Sequence, residues 1–117
     1  MSSNKQRVGK LGEDLAAEYL ESLGWKILER NVTYKGAEID IIALEDDVVV
    51  FVEVRTRTTD DWGSALESLT PKKLASLRSG VVRWLLNQDE YCKARIDMVT
   101  VKLNHGKATL TLYRSIG

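Results

Sequence analysis

One cysteine, one histidine and one proline occur in 117 residues, and the first two scarcities remove whole classes of chemistry. Cys92 alone excludes an internal disulfide and a thiolate-rich zinc site. Nothing near it in sequence would activate it as a nucleophile. His105 alone excludes a multi-histidine zinc centre, and any serine or cysteine triad would depend on it. It stands in Asn104-His105-Gly106-Lys107, which reads as a hairpin turn. No apolar run approaches the ~20 residues that span a bilayer. Met1 to Lys10 is polar and basic, without the apolar stretch of a secretory signal. The expectation is a cytoplasmic protein with no membrane partner.

There is no net charge either, so charge alone argues neither for nor against nucleic acid. Its distribution is uneven. Residues 11–54 hold eleven acids against three cations, whereas residues 55–95 hold eight cations against five acids. An acidic half beside a basic half suits a metal together with a polyanion, and it equally suits ordinary surface charge.

The length suits one domain, residues 1–117, with residues 1–8 expected to lack fixed structure. A first helix is expected from about Gly9 to Leu23. Leu11, Leu15, Ala16, Tyr19, Leu20 and Leu23 form one apolar arc, and Gly24 suits the helix end. Glu13 falls at the edge of that arc, whereas Glu18 and Glu21 fall on the solvent side. Three strands should follow, Trp25–Val32, Glu38–Leu44 and Val48–Arg57, with a turn at Glu45-Asp46-Asp47. The unbroken apolar run Val48–Val52 marks the third as central and covered on both faces. The polar stretch Thr56–Asp61, leading to Trp62-Gly63, reads as a loop at its end. Thr70 and Pro71 start a second helix, with Leu74, Leu77, Val81 and Leu85 on its buried face. Asp97–Leu103 and Ala108–Tyr113 close the chain as a hairpin. The order α-β-β-β-α-β-β gives a mixed α/β domain, one sheet with helices packed on it.

Side chains two apart on a strand share a face, which sets Glu38 beside Asp40 and Glu53 beside Arg55. If the second and third strands pair, all four groups meet. Three acids and a cation on one patch are costly unless a divalent metal or a ligand compensates them. Phosphodiester hydrolysis needs an activated water and charge neutralisation at phosphate, which Mg²⁺ or Mn²⁺ held by a few carboxylates supplies. Asp40 and Glu53 are the natural ligands, and the Val54 carbonyl offers a third oxygen. Glu38 or Glu13 would hold a second ion or orient water. Arg55 would sit where water and scissile phosphate meet. Arg57 and Lys73, the latter in the anion-favouring first turn of its helix, are candidate phosphate contacts.

The same residues fit plainer arrangements. Glu38 and Asp40 could be solvated acids, and Glu53–Arg55 a surface ion pair worth ~0–1 kcal/mol. Arg57 and Lys73 could serve solubility alone. Trp62 could stack on a base or cap the core, and Arg95–Asp97 reads as a structural ion pair at a strand end. Two acids could also suit glycosidase chemistry, but the chain is small for a sugar cleft and few aromatics flank them.

Gly12-Glu13, Glu38-Ile39-Asp40, Phe51-Val52-Glu53-Val54-Arg55-Thr56-Arg57, Lys73 and Arg95-Ile96-Asp97 follow in that order. Together they resemble the YraN-type family of small bacterial proteins, predicted endonucleases similar to archaeal Holliday-junction resolvases and grouped with the PD-(D/E)xK nucleases. The resemblance spans about Gly9 to Val101. It implies a restriction-endonuclease-like αβββαβ core, with metal at Asp40 and Glu53 assisted by Glu13 and Glu38. It also implies catalysis by the residue at position 55, action on branched DNA and homodimerisation. The departure is Arg55, where the family pattern has lysine. Arginine keeps the charge but cannot release a proton, so it cannot be a general base. Two functions therefore stand: a DNA endonuclease, or a catalytically weak or inactive nucleic-acid-binding module of the same fold. A third is a partner-binding protein in nucleic-acid processing.

Overall fold

A computed structural model describes residues 4–58 and 68–117. Two helices and five strands follow in the expected order. They are α1 (Asn4–Ser22), β1 (Lys26–Tyr34), β2 (Ala37–Glu45), β3 (Val48–Arg57), α2 (Pro71–Leu86), β4 (Lys93–Asn104) and β5 (Lys107–Tyr113). Trp62 and residues 59–61 of the loop read from Thr56 to Asp61 fall outside the described residues. Thr56 and Arg57 belong to the strand.

The strands lie in spatial order β1-β2-β3-β4-β5. All neighbours are antiparallel except β3 and β4, which run parallel across the α2 crossover. A parallel pair needs such a crossover because the chain must return to the same end of the sheet. The result is a mixed sheet with one helix on each face, compatible with a restriction-endonuclease-like core. Val50 and Val52 pack under α1 with Ala16, Ala17 and Leu20. Val49 and Phe51 pack under α2 with Leu77, Val81 and Trp84. That two-sided burial is what the unbroken apolar run of β3 anticipates.

Helix α1 starts at Asn4, earlier than the expected Gly9, so residues 4–8 of the terminal segment are helical. It ends in a Schellman motif. Gly24 takes φ +91°, its N–H reaches Glu21 O, and Trp25 N–H reaches Leu20 O. Leu11 and Leu23, expected in the apolar arc, are about half exposed (48% and 46%). Gly12, Ala16, Ala17 and Leu20 are buried instead. The small side chains let α1 approach the sheet closely, so the helix turns its smallest face inward rather than its most apolar one. At Gly12 a Cβ would lie 1.9 Å from Thr56 Oγ1, so only glycine permits this approach to β3.

Helix α2 begins as expected, with Thr70 as N-cap and Pro71 in the first position. The Thr70 hydroxyl accepts the Lys73 N–H at 3.2 Å. Its buried face is centred on Leu77, Gly80, Val81 and Trp84 rather than on Leu74 and Leu85, which are only partly buried. Trp84 meets Phe51 edge to face at 5.4 Å, and its indole N–H donates to Glu29. Strand β4 starts at Lys93, not Asp97. Lys93-Ala94-Arg95-Ile96 already alternates polar and apolar, so the strand pattern extends four residues ahead of the expected start. The β4–β5 turn holds His105 and Gly106 at φ +50° and +74°, the left-handed pair of a tight hairpin.

Candidate functional site

The site forms where β2 parts from β3. The ladder between them ends at Ile41–Val52, one pair short of Asp40 and Glu53. Side-chain alternation in β2 also breaks there. Ile39 and Ile42 pack in the α2-side core, whereas Ile41 packs in the α1-side core. Two residues, Asp40 and Ile41, thus intervene on the chain where one would be regular. The Val54 N–H, directed toward the gap, donates to Asp40 Oδ2 at 2.8 Å. A carboxylate therefore replaces a strand carbonyl as the partner of that N–H.

The four groups expected on one patch line two adjoining grooves. Glu38, Glu53 and Arg55 line a groove of about 690 Å³ on the α2 side, with Lys72 and Lys73. Asp40, Val54 and Arg55 line a second, of about 400 Å³, on the α1 side with Glu13 and Arg57. Among the described residues Arg55 alone lines both. The irregularity lies between Asp40 and Ile41, so Glu38 and Asp40 still flank Ile39, and the charge of Glu38 acts on Asp40.

Asp40 and Glu53 still meet between the grooves, close enough for one carboxyl to donate to the other when it carries a proton. Burial pushes the Asp40 carboxyl up to about 7, and the charges of Glu53, Glu13 and Glu38 push the same way against the Val54 hydrogen bond. Burial also raises Glu53, opposed by Arg55 and Lys73. Two adjacent carboxyls of this kind share a proton rather than both ionising. Arg55 lies beside them, its Nε 3.6 Å from Glu53 Oε1, within ion-pair range but beyond a hydrogen bond. That Nε is buried and has no hydrogen-bond partner. A buried unsatisfied guanidinium N–H is costly, and such orphans cluster where a ligand completes them.

Glu13 reaches the site because Gly12 brings α1 onto Thr56. Its carboxylate is already engaged. Oε1 accepts from Arg30 Nε at 3.1 Å and from Asn31 Nδ2 at 2.9 Å. Asn31 holds φ +54°, a left-handed conformation that asparagine tolerates. Arg30 also pairs with Asp14, whose carboxyl it holds below the usual range. Neither Arg30 nor Asn31 carries a motif signal, so sequence reading passes over both. Glu38 is exposed, and Arg57 is exposed at the end of β3. Lys73 is exposed at the start of α2, and its own backbone N–H serves the Thr70 cap. Its side chain, not that N–H, faces the groove chemistry.

No group of three or more Asp, Glu, His or Cys residues is gathered closely enough to hold a metal among the described residues. Two adjacent carboxyls are nonetheless a sufficient protein share for Mg²⁺, which keeps several of its waters and takes one or two carboxylates. The donors are hard oxygens, as Mg²⁺ and Mn²⁺ prefer. Repulsion between Asp40 and Glu53 is the kind a dication relieves. The donor set therefore fits such an ion, with Glu13 and Glu38 close enough to add to its field.

Residues 12–101, a span that takes in every residue named above as a candidate, match the uncharacterised protein family UPF0102. A UPF0102 protein of Mycolicibacterium gilvum (strain PYR-GCK) is 43% identical over 114 residues, 94% of this chain and 93% of its own. One from Flavobacterium johnsoniae is 44% identical over 101 residues, covering 83% and 82%. One from Syntrophomonas wolfei is 36% identical over 106 residues, covering 90% and 92%. The resemblance carried by the ordered motifs is borne out at the level of the family.

Proposed function

The chain belongs to the UPF0102 family, and from that premise we propose that it is a metal-dependent endonuclease hydrolysing phosphodiester bonds in structured or branched DNA. The observation that carries this reading is the Asp40–Glu53 carboxyl pair, raised by burial and set against Arg55, whose buried Nε has no hydrogen-bond partner. A buried acid pair beside an unsatisfied guanidinium is unstable by itself and becomes stable with a cation and a phosphate in place.

Mg²⁺ or Mn²⁺, when bound, supplies charge neutralisation and lowers the pKa of a water at neutral pH. Asp40 and Glu53 hold the ion, Asp40 being kept in place by the Val54 N–H. Arg55 binds non-bridging oxygens of the scissile phosphate through its unpaired N–H and steadies the charge that grows there. It takes no proton at any step. Lys73 and Arg57 engage phosphates on either side, one from each groove. Dimerisation would set two such sites on the two strands of a branched DNA.

The test is cleavage of labelled linear, nicked, flapped and four-way-junction DNAs with Mg²⁺ and with Mn²⁺. Wild type, Asp40→Asn and Glu53→Gln run side by side. Metal-dependent cutting lost in both variants supports the proposal; cutting that persists in either refutes the assignment. A second reading rests on Arg55 standing where lysine is the pattern: a module that binds nucleic acid and cuts weakly or not at all. Tight, salt-sensitive binding without cutting by wild type would favour it. Arg55→Lys should raise turnover if arginine limits the chemistry, and a drop to background would rule that limit out.

A further inference from the structure

The two grooves differ in what they offer a polynucleotide. Both carry acids of the site and share Arg55. Among the described residues only the α2-side groove adds an aromatic ring, Tyr34, with Leu77 beside it. Its volume, about 690 Å³, falls in the range of pockets that take organic ligands the size of a nucleotide. Tyr34 is held in place: the Arg83 guanidinium lies 5.9 Å from its ring centroid while donating to Lys35 O at 2.7 Å.

The charges on the far wall point to an anion. Lys72 and Lys73 stand in the first turn of α2, where the helix dipole disfavours cations, and that turn holds no acid. The Thr70 hydroxyl takes one of the free N–H groups, but it brings no negative charge. Lys73 already acts on Glu53, and with Lys72 and Arg55 it gives the groove three cations against Glu38 and Glu53, a balance that favours a phosphate there.

We propose that the groove between the β1–β2 turn and the start of α2 receives an unpaired nucleotide of the strand being cut, its base against Tyr34 and its phosphate against Lys73. The inference rests on the nuclease reading for the position of the scissile phosphate, and it adds that the substrate is single-stranded next to the cut. In a continuous duplex the bases stay within the stack, and a base enters such a groove only from a strand that is unpaired or opened there. An aromatic wall with flanking cations is the arrangement by which proteins hold single strands without reading sequence. Flaps, gaps and junction crossovers offer such a nucleotide; a continuous linear duplex does not.

The test measures binding and cutting separately. Fluorescence anisotropy with a labelled oligothymidylate in Ca²⁺ is compared with a duplex of equal length. The proteins are wild type, Lys73→Ala, Tyr34→Leu, Tyr34→Phe and, as a distant control, Lys107→Ala, with thermal melts to establish folding. The single strand should bind more tightly than the duplex. Tyr34→Leu should weaken it about tenfold, a change that Tyr34→Phe does not share. Lys73→Ala should weaken it and flatten its salt dependence, whereas Lys107→Ala should not. An abasic site at the bound nucleotide should remove the Tyr34 effect. Equal or tighter duplex binding, with folded Tyr34→Leu and Lys73→Ala like wild type, overturns the proposal. Single-strand binding without cutting would leave it standing and defeat only the nuclease reading. Cutting of continuous duplex as fast as of a flap would defeat it and leave the nuclease reading intact.

Discussion

The sheet carries a charge cluster at each end of β2 and β3, and the two are built on opposite principles. At the Glu45 end Asp97 and Glu45 are both answered. Asp97 has no exposed surface, yet it accepts from Arg95 Nε at 2.9 and 3.1 Å and from Ser115 N at 2.9 Å. Glu45 accepts from Arg95 and from both terminal nitrogens of Arg114. These contacts, Arg114 first, pull Glu45 down to about 2. The Trp25 ring lies 5.6 Å from each guanidinium. At the Asp40 end Asp40 and Glu53 are crowded and raised, and the Arg55 guanidinium beside them keeps a buried N–H without a hydrogen bond. A satisfied cluster pins the C-terminal segment to the sheet; an unsatisfied one gives up stability, which the proposed function assigns to ligand binding.

The contrast is broken most sharply by neutralising the second cluster. Asp40→Asn keeps an oxygen for the Val54 N–H and removes a crowded charge. It should take DNA cleavage to background while raising Tm at pH 8 by about 4–8 °C. Mg²⁺ should raise the Tm of wild type at that pH and leave the variant unmoved. A variant melting below wild type would show that the carboxylate is structural after all.

Opening the first cluster should do the reverse. Asp97→Ala leaves Arg95 short of one acid and Ser115 N without its acceptor, at a cost of about 3–5 kcal/mol in denaturant unfolding. Residual cleavage by the folded fraction should match wild type per active molecule. Gly12→Ala should cost about 1–3 kcal/mol by driving α1 off Thr56, and it should lower cleavage further because Glu13 moves with the helix.

The smallest effect is also the most diagnostic, because the clusters should give stability slopes of opposite sign. Glu45 is lowered to about 2 from 4.5, so between those values the unfolded chain holds more protons. Its contribution is complete above about pH 4.5 and is lost as pH falls toward 2. Asp40 is raised from 3.8 to about 7, so there the folded chain holds the extra proton, and stability falls as pH rises through that window. Urea midpoints from pH 2 to 8 should rise and then fall. Glu45→Gln should flatten the acid limb, and Asp40→Asn the neutral limb.

Much of the architecture was readable before any coordinate. Apolar alternation, the unbroken Val48–Val52 run, Gly24, and the Thr70-Pro71 start are local signals whose physics is carried by a few adjacent residues. They placed the elements in order and put β3 at the centre. The same local logic picked out Asp40, Glu53 and Arg55. It failed where a partner from elsewhere in the chain decides the outcome. Leu11 is exposed because α1 presents Gly12 and Ala16 inward, and no window on α1 alone reveals Thr56 opposite Gly12. Arg30 and Asn31 look like ordinary strand residues until Glu13 is seen to lie against them.

By itself, then, the sequence determined the family, the order of helices and strands, and which acids and cation are candidates for chemistry, because those follow from short-range periodicity and ordered motifs. Only the tertiary structure decided that β2 loses its alternation at Asp40, that the acids divide between two grooves meeting at Arg55, and that Glu13 is already held by Arg30. The reason is physical: a strand's period assigns faces only while the strand stays regular, and past Ile41–Val52, where β2 keeps β1 but parts from β3, packing from both helices and the Val54 N–H set the direction of the side chains.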